Sequence, residues 1–199
     1  MNKTMTGKNE YTSTMLRKNI LSDYKRCGIQ SVNFWILLKV FIFLPHPGLK
    51  FMTIFRLTQH FRIKNRPLFY FFFLWLCRLK FKYGFDISYR TKIGKGLYIG
   101  HFGNVVIHGD AEIGDNCNIS QGITIGINNS GKHVGVPIIG NNVFIGPGAC
   151  VFGNIHIGNN VVIGANAVVT EDIPEFSTVL CQKSIIIKKD LSSHYIQNI

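Results

Sequence analysis

A histidine and an aspartate that stand fifteen positions apart in this chain are of types that can carry out acid–base chemistry. His101 lies in the run IGHFGN, and Asp86 lies in the run FDIS. An imidazole can accept a proton from a reacting hydroxyl group near neutral pH. The same two residues also fit a solvated histidine at a corner and an aspartate in a turn. Their role therefore depends on the elements that position them.

Those elements are predicted by a six-residue period in the second half of the chain. Such a period is neither the roughly 3.6 residues of a helix nor the alternation of a strand. Hexapeptide repeats are typical of a parallel β-helix, whose coils stack so that each contacts only its neighbours. The repeated aliphatic residues, which we expect to point inward, are Ile87, Ile93, Ile99, Ile107, Ile113, Ile119, Ile125, Ile139, Ile145, Val151, Ile157, Ile163 and Val169.

The positions two residues earlier support the same fold, because side chains alternate along a strand and these must also face inward. A sandwich of short strands would instead need irregular spacing and hairpin turns. Each of these positions is small or apolar: Val105, Ala111, Cys117, Ile123, Val143, Ala149, Ile155, Val161 and Ala167. The sequence therefore predicts a mainly β protein with a parallel β-helix domain over residues 86–182.

Two interruptions of the period mark where binding chemistry is expected. Between Ile99 and Ile107 the step is eight residues, which places two extra residues around His101. Between Ile125 and Ile139 the step is fourteen, so a loop of about eight extra residues is extruded within 126–138. Loops that leave a rigid solenoid are frequent sites of binding.

The region from Asp86 to about Val169 resembles the hexapeptide acyltransferases. The resemblance rests on DISYRTKIGKGLYIGHFGNVVIHGDAEIGDNCNISQGITIG and on VPIIGNNVFIGPGACVFGNIHIGNNVVIGANAVV. Within that family it is closest to the serine acetyltransferases and their relatives in surface-polysaccharide gene sets. The resemblance implies a left-handed coil, acetyl-CoA as the donor, and a homotrimer with active sites between neighbouring prisms.

The resemblance also assigns roles to the two residues named first. His101 matches the catalytic histidine of the family, and Asp86 matches the carboxylate that holds that ring in the right tautomer. Acetyl transfer from a thioester to an alcohol needs a base for the hydroxyl proton and donors for the oxyanion. Fifteen residues is close to one coil of three hexapeptides, so we expect the two side chains on adjacent coils.

Coenzyme A is expected along the outside of the prism, against the later coils and the extruded loop. Carried over by position, the residues of that path are Gly126, Asn128, Pro147 and Ala165, which coil geometry would also explain. Lys188, with Lys183 and Lys189, is placed to meet the phosphates of the cofactor. The Gly-x-Pro-Ala segment usual in the family is missing from this tail. The histidines are scattered and no cysteine pair has ligand spacing, so no metal site is predicted.

Two residues differ from those of the serine acetyltransferases, and these differences affect which acceptor we expect. Gly100 stands where those enzymes have an aspartate, and Val136 stands where they have a second active-site histidine. His133, three residues earlier, is the candidate substitute, and Asn104 is the further candidate beside His101. A site without the two missing groups offers less to a small zwitterion. We therefore expect a sugar hydroxyl of a surface polysaccharide or of its lipid-linked precursor. The alternatives are a serine O-acetyltransferase of cysteine biosynthesis and a non-catalytic β-helix scaffold.

The first 85 residues differ sharply from the repeat in composition. They hold 15 Lys and Arg but only two acidic residues, a net charge of +13, whereas residues 86–199 carry −1. Apolar runs at 34–44 and 68–77 alternate with these cations, and neither reaches the ~20 residues of a membrane span. We expect a helical segment over 1–85 that either lies on an anionic membrane surface or caps the trimer. No recognition motif favours nucleic acid.

The location follows from what the chain lacks. The first thirty residues have no continuous apolar core of a cleaved signal peptide. Five cysteines without framework spacing suggest reduced thiols. We expect a cytoplasmic protein that is peripheral at the inner face of the membrane, with residues 183–199 as a C-terminal tail.

Overall fold

A computed structural model describes residues 12–182 of the chain. Lys188, predicted to meet the phosphates of coenzyme A, and the rest of the tail at 183–199 lie outside the described residues. The described chain begins with four helices, which confirms the predicted N-terminal helical segment. The helices are α1 (Ser13–Arg26), α2 (Phe34–Ile42), α3 (Pro47–Lys64) and α4 (Arg66–Tyr83).

Fourteen short strands follow the helices. They are β1 (Phe85–Ile87), β2 (Lys92–Ile93), β3 (Tyr98–Ile99), β4 (Val105–Ile107), β5 (Glu112–Ile113), β6 (Asn118–Ile119), β7 (Thr124–Gly126), β8 (Ile138–Ile139), β9 (Phe144–Ile145), β10 (Cys150–Phe152), β11 (His156–Ile157), β12 (Val162–Ile163), β13 (Val168–Val169) and β14 (Thr178–Val179). Each strand pairs in parallel with the strand three places later in the chain, as β1 does with β4 and β10 with β13. The exception is β14, which follows an isolated bridge at Ile173 and pairs with β12. The result is a triangular prism of about five turns, which confirms the predicted parallel β-helix.

The interior of the prism is filled by the repeat. All thirteen aliphatic residues of the six-residue period are buried, and so are all nine residues two positions before them. Cys117 is one of these core residues, and its thiol donates to the carbonyl oxygen of Gly140 at 3.2 Å. Burial raises the pKa of that thiol. Because each rung contributes the same few side chains, the core continues unbroken from one turn to the next.

Polar residues at one corner join successive turns. The backbone N–H of Lys95 donates to Asp115 Oδ1 at 2.9 Å, and that of Asp115 donates to Asn141 Oδ1 at 2.7 Å. The N–H of Asn141 donates in turn to Asn159 Oδ1 at 2.7 Å. These side chains satisfy corner N–H groups that the short strands leave without partners. The frequent asparagines of the repeat are therefore structural.

The helices begin at residues suited to capping. Thr12, Asn33 and Asn65 accept from the backbone N–H of the third residue of α1, α2 and α4 at 3.2, 2.9 and 3.0 Å. Such caps satisfy one of the N–H groups left free at a helix start. Gly84 ends α4 with a φ of 68°, a left-handed conformation that glycine adopts without strain.

Helix α3 covers the N-terminal end of the prism. Its residues Phe51, Met52, Ile54 and Phe55 are buried in one core with the first coil. The approach is close at Gly48, where a Cβ atom would lie 2.2 Å from the carbonyl oxygen of Ile99. Any larger residue at this position would push α3 away from β3.

A buried ion pair joins α1, α3 and the first coil. Arg56 of α3 is fully buried, and its Nε donates to Asp23 Oδ2 of α1 at 3.1 Å. Its other nitrogens donate to the carbonyl oxygens of Ile93 and Gly94 at 2.7 and 2.5 Å. Asp23 Oδ1 accepts from the N–H groups of Gly96 and Leu97 at 2.8 and 3.1 Å. Burial raises the pKa of the Asp23 carboxyl, against the opposing effect of Arg56.

Within residues 12–182 no helix combines the length and the apolar character needed to traverse a bilayer.

Candidate active site

The corner between β3 and β4 carries His101 in a groove of about 310 Å³. The two extra residues of the interrupted repeat, His101 and Phe102, are both exposed there. The side chains and backbone that line the groove belong to Tyr98, Gly100, His101, Asn118, Ile119, Ser120, Gln121, Phe144 and Pro147. A groove therefore surrounds the predicted base at the first interruption, and its use as an active site stays a prediction.

Backbone hydrogen bonds show how the insertion displaces His101. At later turns the same corner is closed by Gly148 N–H donating to Gln121 O and by Asn166 N–H donating to Pro147 O, at 3.1 and 2.8 Å. At the first turn Gly122 N–H donates instead to Gly103 O at 3.1 Å. The corner position is therefore taken by residue 103, and His101 is left outside the stacked backbone.

One edge of the prism continues from this groove. Strand register pairs Ile119 with Ile145 and Ile145 with Ile163, so Gln121, Pro147 and Ala165 occupy equivalent corner positions on successive turns. We call these three residues the corner edge. Adjacent strands lie roughly 4.8 Å apart, so the edge advances by that distance per turn. Two of the residues predicted to contact coenzyme A, Pro147 and Ala165, thus lie in line with each other beyond His101.

Asp86 is not among the residues that line the groove of His101. Its exposed carboxylate on β1 pairs through Oδ1 with Lys80 Nζ of α4 at 2.7 Å. Within residues 12–182 no hydrogen bond joins Asp86 to His101, and Asp86 Oδ2 has no partner there. Asp86 lines a separate groove of about 400 Å³ that also contains Gly126 and Phe152. The pairing of Asp86 with His101 stays a prediction.

The extruded loop leaves the prism at a fixed base. Asn128 and Gly135 exchange two backbone hydrogen bonds, each of 2.9 Å, and close the loop. The carbonyl oxygen of His133 accepts from the N–H of Asn154 at 3.0 Å, and the His133 side chain is half-buried. Gly126 has a packing role of its own, because a Cβ there would lie 2.4 Å from Phe152 Cε1. The described structure does not bring His133 or Asn128 into the groove that holds His101.

Asn104 lies at the same corner as His101 but is not among the residues that line its groove. It has a φ of 48° and an exposed side chain. Its backbone N lies 3.0 Å from the position that a Cβ on Gly84 would take. This geometry gives Asn104 a turn-forming role, and a role in acceptor binding stays a prediction.

Two residues missed in the sequence lie in or beside the groove. Gln121 Oε1 is buried and has no hydrogen-bond partner, the one such side-chain atom found among the described residues. Arg26, at the end of α1, donates through Nη2 to Asn118 Oδ1, which lines the groove. The repeat does contain a signal for Gln121, because this long polar residue occupies a position where later turns have proline and alanine. Arg26 had no such signal, because 92 residues separate it from Asn118.

Comparisons with known proteins agree with this geometry. Residues 137–171 match the bacterial transferase hexapeptide family (six repeats). A serine acetyltransferase of Helicobacter pylori is 41% identical over 150 residues, which are 75% of this chain and 86% of that enzyme. A serine acetyltransferase of Staphylococcus aureus is 47% identical over 113 residues, 56% of this chain and 52% of that enzyme. The chain therefore spans most of one relative and about half of the other.

Solved structures give the same result. The serine acetyltransferase of Neisseria gonorrhoeae in complex with serine aligns with a TM-score of 0.68 at 30% identity, over 85% of this chain and 68% of that one. Isoform 3 from Entamoeba histolytica, in complex with cysteine, aligns with a TM-score of 0.64 at 30% identity. That alignment covers 90% of this chain and 62% of the other, so the present chain spans less than two thirds of it.

These findings overturn one expectation. The prediction of a sugar hydroxyl as the acceptor is wrong, because the relatives that match most of the chain are serine acetyltransferases. That prediction interprets Gly100 and Val136 as the loss of two polar side chains from the site. The groove nonetheless contains the polar side chains of Tyr98, Ser120 and Gln121. The stacking of turns determines where these side chains lie relative to His101. Tyr98 Oη lies 3.5 Å from where a Cβ on Gly100 would be.

The prediction of an acyltransferase is confirmed by the same matches. Alternating inward residues, the corner that carries His101 and the extruded loop all lie within the region shared with these enzymes. The chain belongs to the serine acetyltransferase family of hexapeptide-repeat acyltransferases.

Proposed function

We propose that the protein transfers the acetyl group of acetyl-CoA to the hydroxyl of L-serine. The single observation that carries this proposal is 41% identity across 86% of the length of a serine acetyltransferase. The position of His101, exposed in a groove at an interrupted corner, supports it. The products are O-acetylserine and free coenzyme A.

His101 is the proposed general base. It takes the proton of the serine hydroxyl as that oxygen attacks the thioester carbonyl carbon. When the tetrahedral intermediate collapses, the C–S bond breaks and the proton passes from the imidazolium to the departing thiolate. The base is thereby regenerated. Because His101 has no hydrogen-bond partner within residues 12–182, its ring is free to contact an acceptor.

Asp86 is the proposed positioning residue for His101. Lys80 occupies only Oδ1 of its carboxylate, and Oδ2 has no partner among the described residues. A hydrogen bond from the imidazole to that oxygen would hold the ring in one tautomer and stabilise the imidazolium.

The groove offers partners for both charged ends of serine. Gln121 Oε1 is a buried acceptor without a donor, and the ammonium group of serine would supply one. Arg26 reaches the groove through Asn118, and its guanidinium matches the geometry of a carboxylate. Gln121 and Arg26 are therefore the proposed binding residues for the amino acid.

The corner edge is the proposed path of the pantetheine arm. Pro147 lines the groove of His101, and Ala165 is exposed one turn further along. The edge is flat there, because proline and alanine replace the longer Gln121. The other residues assigned to the cofactor, Gly126, Asn128 and Lys188, stay predictions. So do assembly as a homotrimer and a location inside the cell.

The function is tested by incubating the purified protein with acetyl-CoA and L-serine. Release of free thiol is followed by colour, and O-acetylserine is identified by mass spectrometry. We expect turnover at millimolar serine and little with L-alanine, which has the same charged groups but no hydroxyl. Absence of thiol release with serine, while acetyl-CoA binding is measurable by calorimetry, would overturn the proposed acceptor. Absence of both would favour the scaffold alternative.

A further inference from the structure

The outward surfaces of α2 and α4 expose an unusual number of large apolar side chains. Trp35 is 73% exposed and Phe81 is 90% exposed. On each helix these residues are adjacent or lie three, four or seven positions apart, so they form one stripe per helix. We call the outer helical face the set Phe34, Trp35, Leu38, Ile42, Tyr70, Phe71, Leu74 and Phe81.

The two stripes meet where the helices touch. The rings of Phe41 on α2 and Trp75 on α4 have centroids 5.5 Å apart. Phe41 precedes the exposed Ile42, and Trp75 follows the exposed Leu74. The ring of Phe71 lies 5.9 Å from that of Trp75. The outer helical face is thus a joint surface of α2 and α4.

The charge around this face has a single sign. Residues 12–84 contain thirteen Lys and Arg and one acidic residue, Asp23. Asp23 is buried and paired with Arg56, so the described helices present no carboxylate to solvent. Lys39 and Arg78 are exposed on the same helices as the apolar stripes. Arg78 shares a hollow of about 410 Å³ with Phe71 and Leu74.

We propose that the outer helical face binds the surface of an anionic lipid membrane. Aliphatic and aromatic side chains gain by entering the boundary of the acyl chains, and the surrounding cations are attracted by anionic headgroups. A second copy of the chain is a poor occupant, because it would bring an equally cationic face into contact. Nucleic acid would satisfy the cations but leave Leu38, Ile42 and Leu74 without apolar contacts.

A neighbouring groove has the same character. It lies between α1 and α2, has a volume of about 480 Å³, and contains Leu16, Ile20 and Leu37. Phe34 belongs both to this groove and to the outer helical face, and Arg17 also contributes to its lining. The apolar side chains of this groove are suited to the acyl chain of a lipid, and the cation is suited to its anionic headgroup.

The proposal is tested by flotation of the intact protein with vesicles. One set is phosphatidylcholine alone, and the other contains about one third phosphatidylserine, whose charge attracts basic segments. We expect the protein to float with the anionic vesicles at low salt and to be partly released at high salt. Recovery of all protein in the soluble fraction with the anionic vesicles at low salt would overturn the proposal.

Matched variants locate the contact. Leu74→Ser removes a residue that is 67% exposed on α4, and Leu180→Ser removes one that is 75% exposed on the β-helix. We expect binding to fall roughly tenfold for the first and to stay unchanged for the second. Arg78→Glu should weaken binding roughly 30-fold, since two units of charge change near the lipid, and Arg90→Glu much less.

Two further results would overturn the proposal. One is equal loss of vesicle binding for Leu74→Ser and Leu180→Ser. The other is a larger assembly of the parent in solution that Leu74→Ser alone dissociates, because a second copy would then cover the face. Leu74, Arg78 and Arg90 are not among the residues of the groove of His101 or of the corner edge, so turnover of serine in solution should be the same for their variants. The membrane proposal can therefore fail while the proposed function holds.

Discussion

The β-helix and the helical segment of this protein are stabilised by different kinds of contact. In the β-helix each turn repeats the same inward residues and touches only the turns beside it. In the helical segment, single contacts such as Asp23 with Arg56 join residues far apart in the chain. The outer surfaces differ as well, since the helices expose cations and aromatic rings while the repeat is close to neutral.

This difference suggests a division of work. The β-helix holds the groove of His101 in a rigid frame, and the helical segment supplies a surface that does not depend on that groove. The hydrogen bond of Arg26 with Asn118 crosses from helix to groove. Variants that damage one region should therefore leave the other measurable.

The largest effect is expected for His101→Ala. Loss of a general base lowers turnover by roughly 100- to 10,000-fold. Because the His101 side chain is exposed, the fold and the flotation with anionic vesicles should be unchanged. Stopped-time thiol release with serine measures the effect, and His156→Ala, an exposed histidine on β11, is the control. Unaltered turnover of His101→Ala would contradict the catalytic assignment.

Arg56→Met tests how the helices are attached. Removing one member of a buried ion pair leaves the other charged and unpaired, at a cost of about 3–5 kcal/mol in the free energy of unfolding. Urea denaturation measures this loss. The double variant Asp23→Leu with Arg56→Met removes both charges and should recover part of it, because the backbone groups of Ile93, Gly94, Gly96 and Leu97 still lose their partners. Stability of Arg56→Met within about 1 kcal/mol of the parent would show that the pair is not needed.

Ile163→Ala tests the core of the β-helix. Truncation of a fully buried isoleucine leaves a cavity and lowers the free energy of unfolding by about 2–5 kcal/mol. Val162→Ala, at the adjacent and partly exposed position of β12, should cost far less. Equal losses for the two variants would contradict the inward and outward alternation of the strand.

Arg26→Met tests the hydrogen bond between α1 and the groove of His101. If the guanidinium binds the carboxylate of serine, KM for serine should rise roughly tenfold, as for a hydrogen bond to a charged group. KM for acetyl-CoA should stay unchanged, because the corner edge is not altered. Lys25→Met removes the neighbouring exposed cation and serves as the control. A rise in both KM values would instead indicate a general disturbance of the groove.

Gln121→Leu gives the smallest expected effect. One hydrogen bond to the ammonium of serine is worth about 1 kcal/mol, so KM for serine should rise about fivefold with kcat nearly constant. Gln182→Leu changes an exposed glutamine outside the groove and should leave both constants as they are. A lower KM for Gln121→Leu would mean that the buried oxygen hinders the acceptor.

The β-helix could be predicted almost residue by residue from the sequence. Ile145 and Ala149, for example, are buried because the period of six fixes which side of each strand they occupy. The interruption at His101 was equally visible, because two extra residues cannot fit a corner that other turns close with fewer. Local repetition makes such predictions possible, since each rung obeys the same geometry.

The contacts between distant segments could not be predicted in this way. No pattern in the sequence joins Asp23 to Arg56, or Arg26 to Asn118. Each pair depends on how α1 packs on α3 and on the prism, which is a property of the whole fold. The prediction of the acceptor is wrong for a related reason. It considers the two side chains missing at Gly100 and Val136 but not the groups that neighbouring turns supply to the groove.

The corner edge has a consequence for how such an enzyme can change. Positions along it are separated by whole strand spacings, so Gln121 and Ala165 lie roughly 10 Å apart, with Pro147 between them. Adding or deleting one complete coil would shift the thiol end of a bound donor relative to the imidazole by one such spacing, and no smaller adjustment is available from the repeat. Substrate reach in this architecture is therefore tuned in discrete steps, and finer changes must come from the residues inserted at corners.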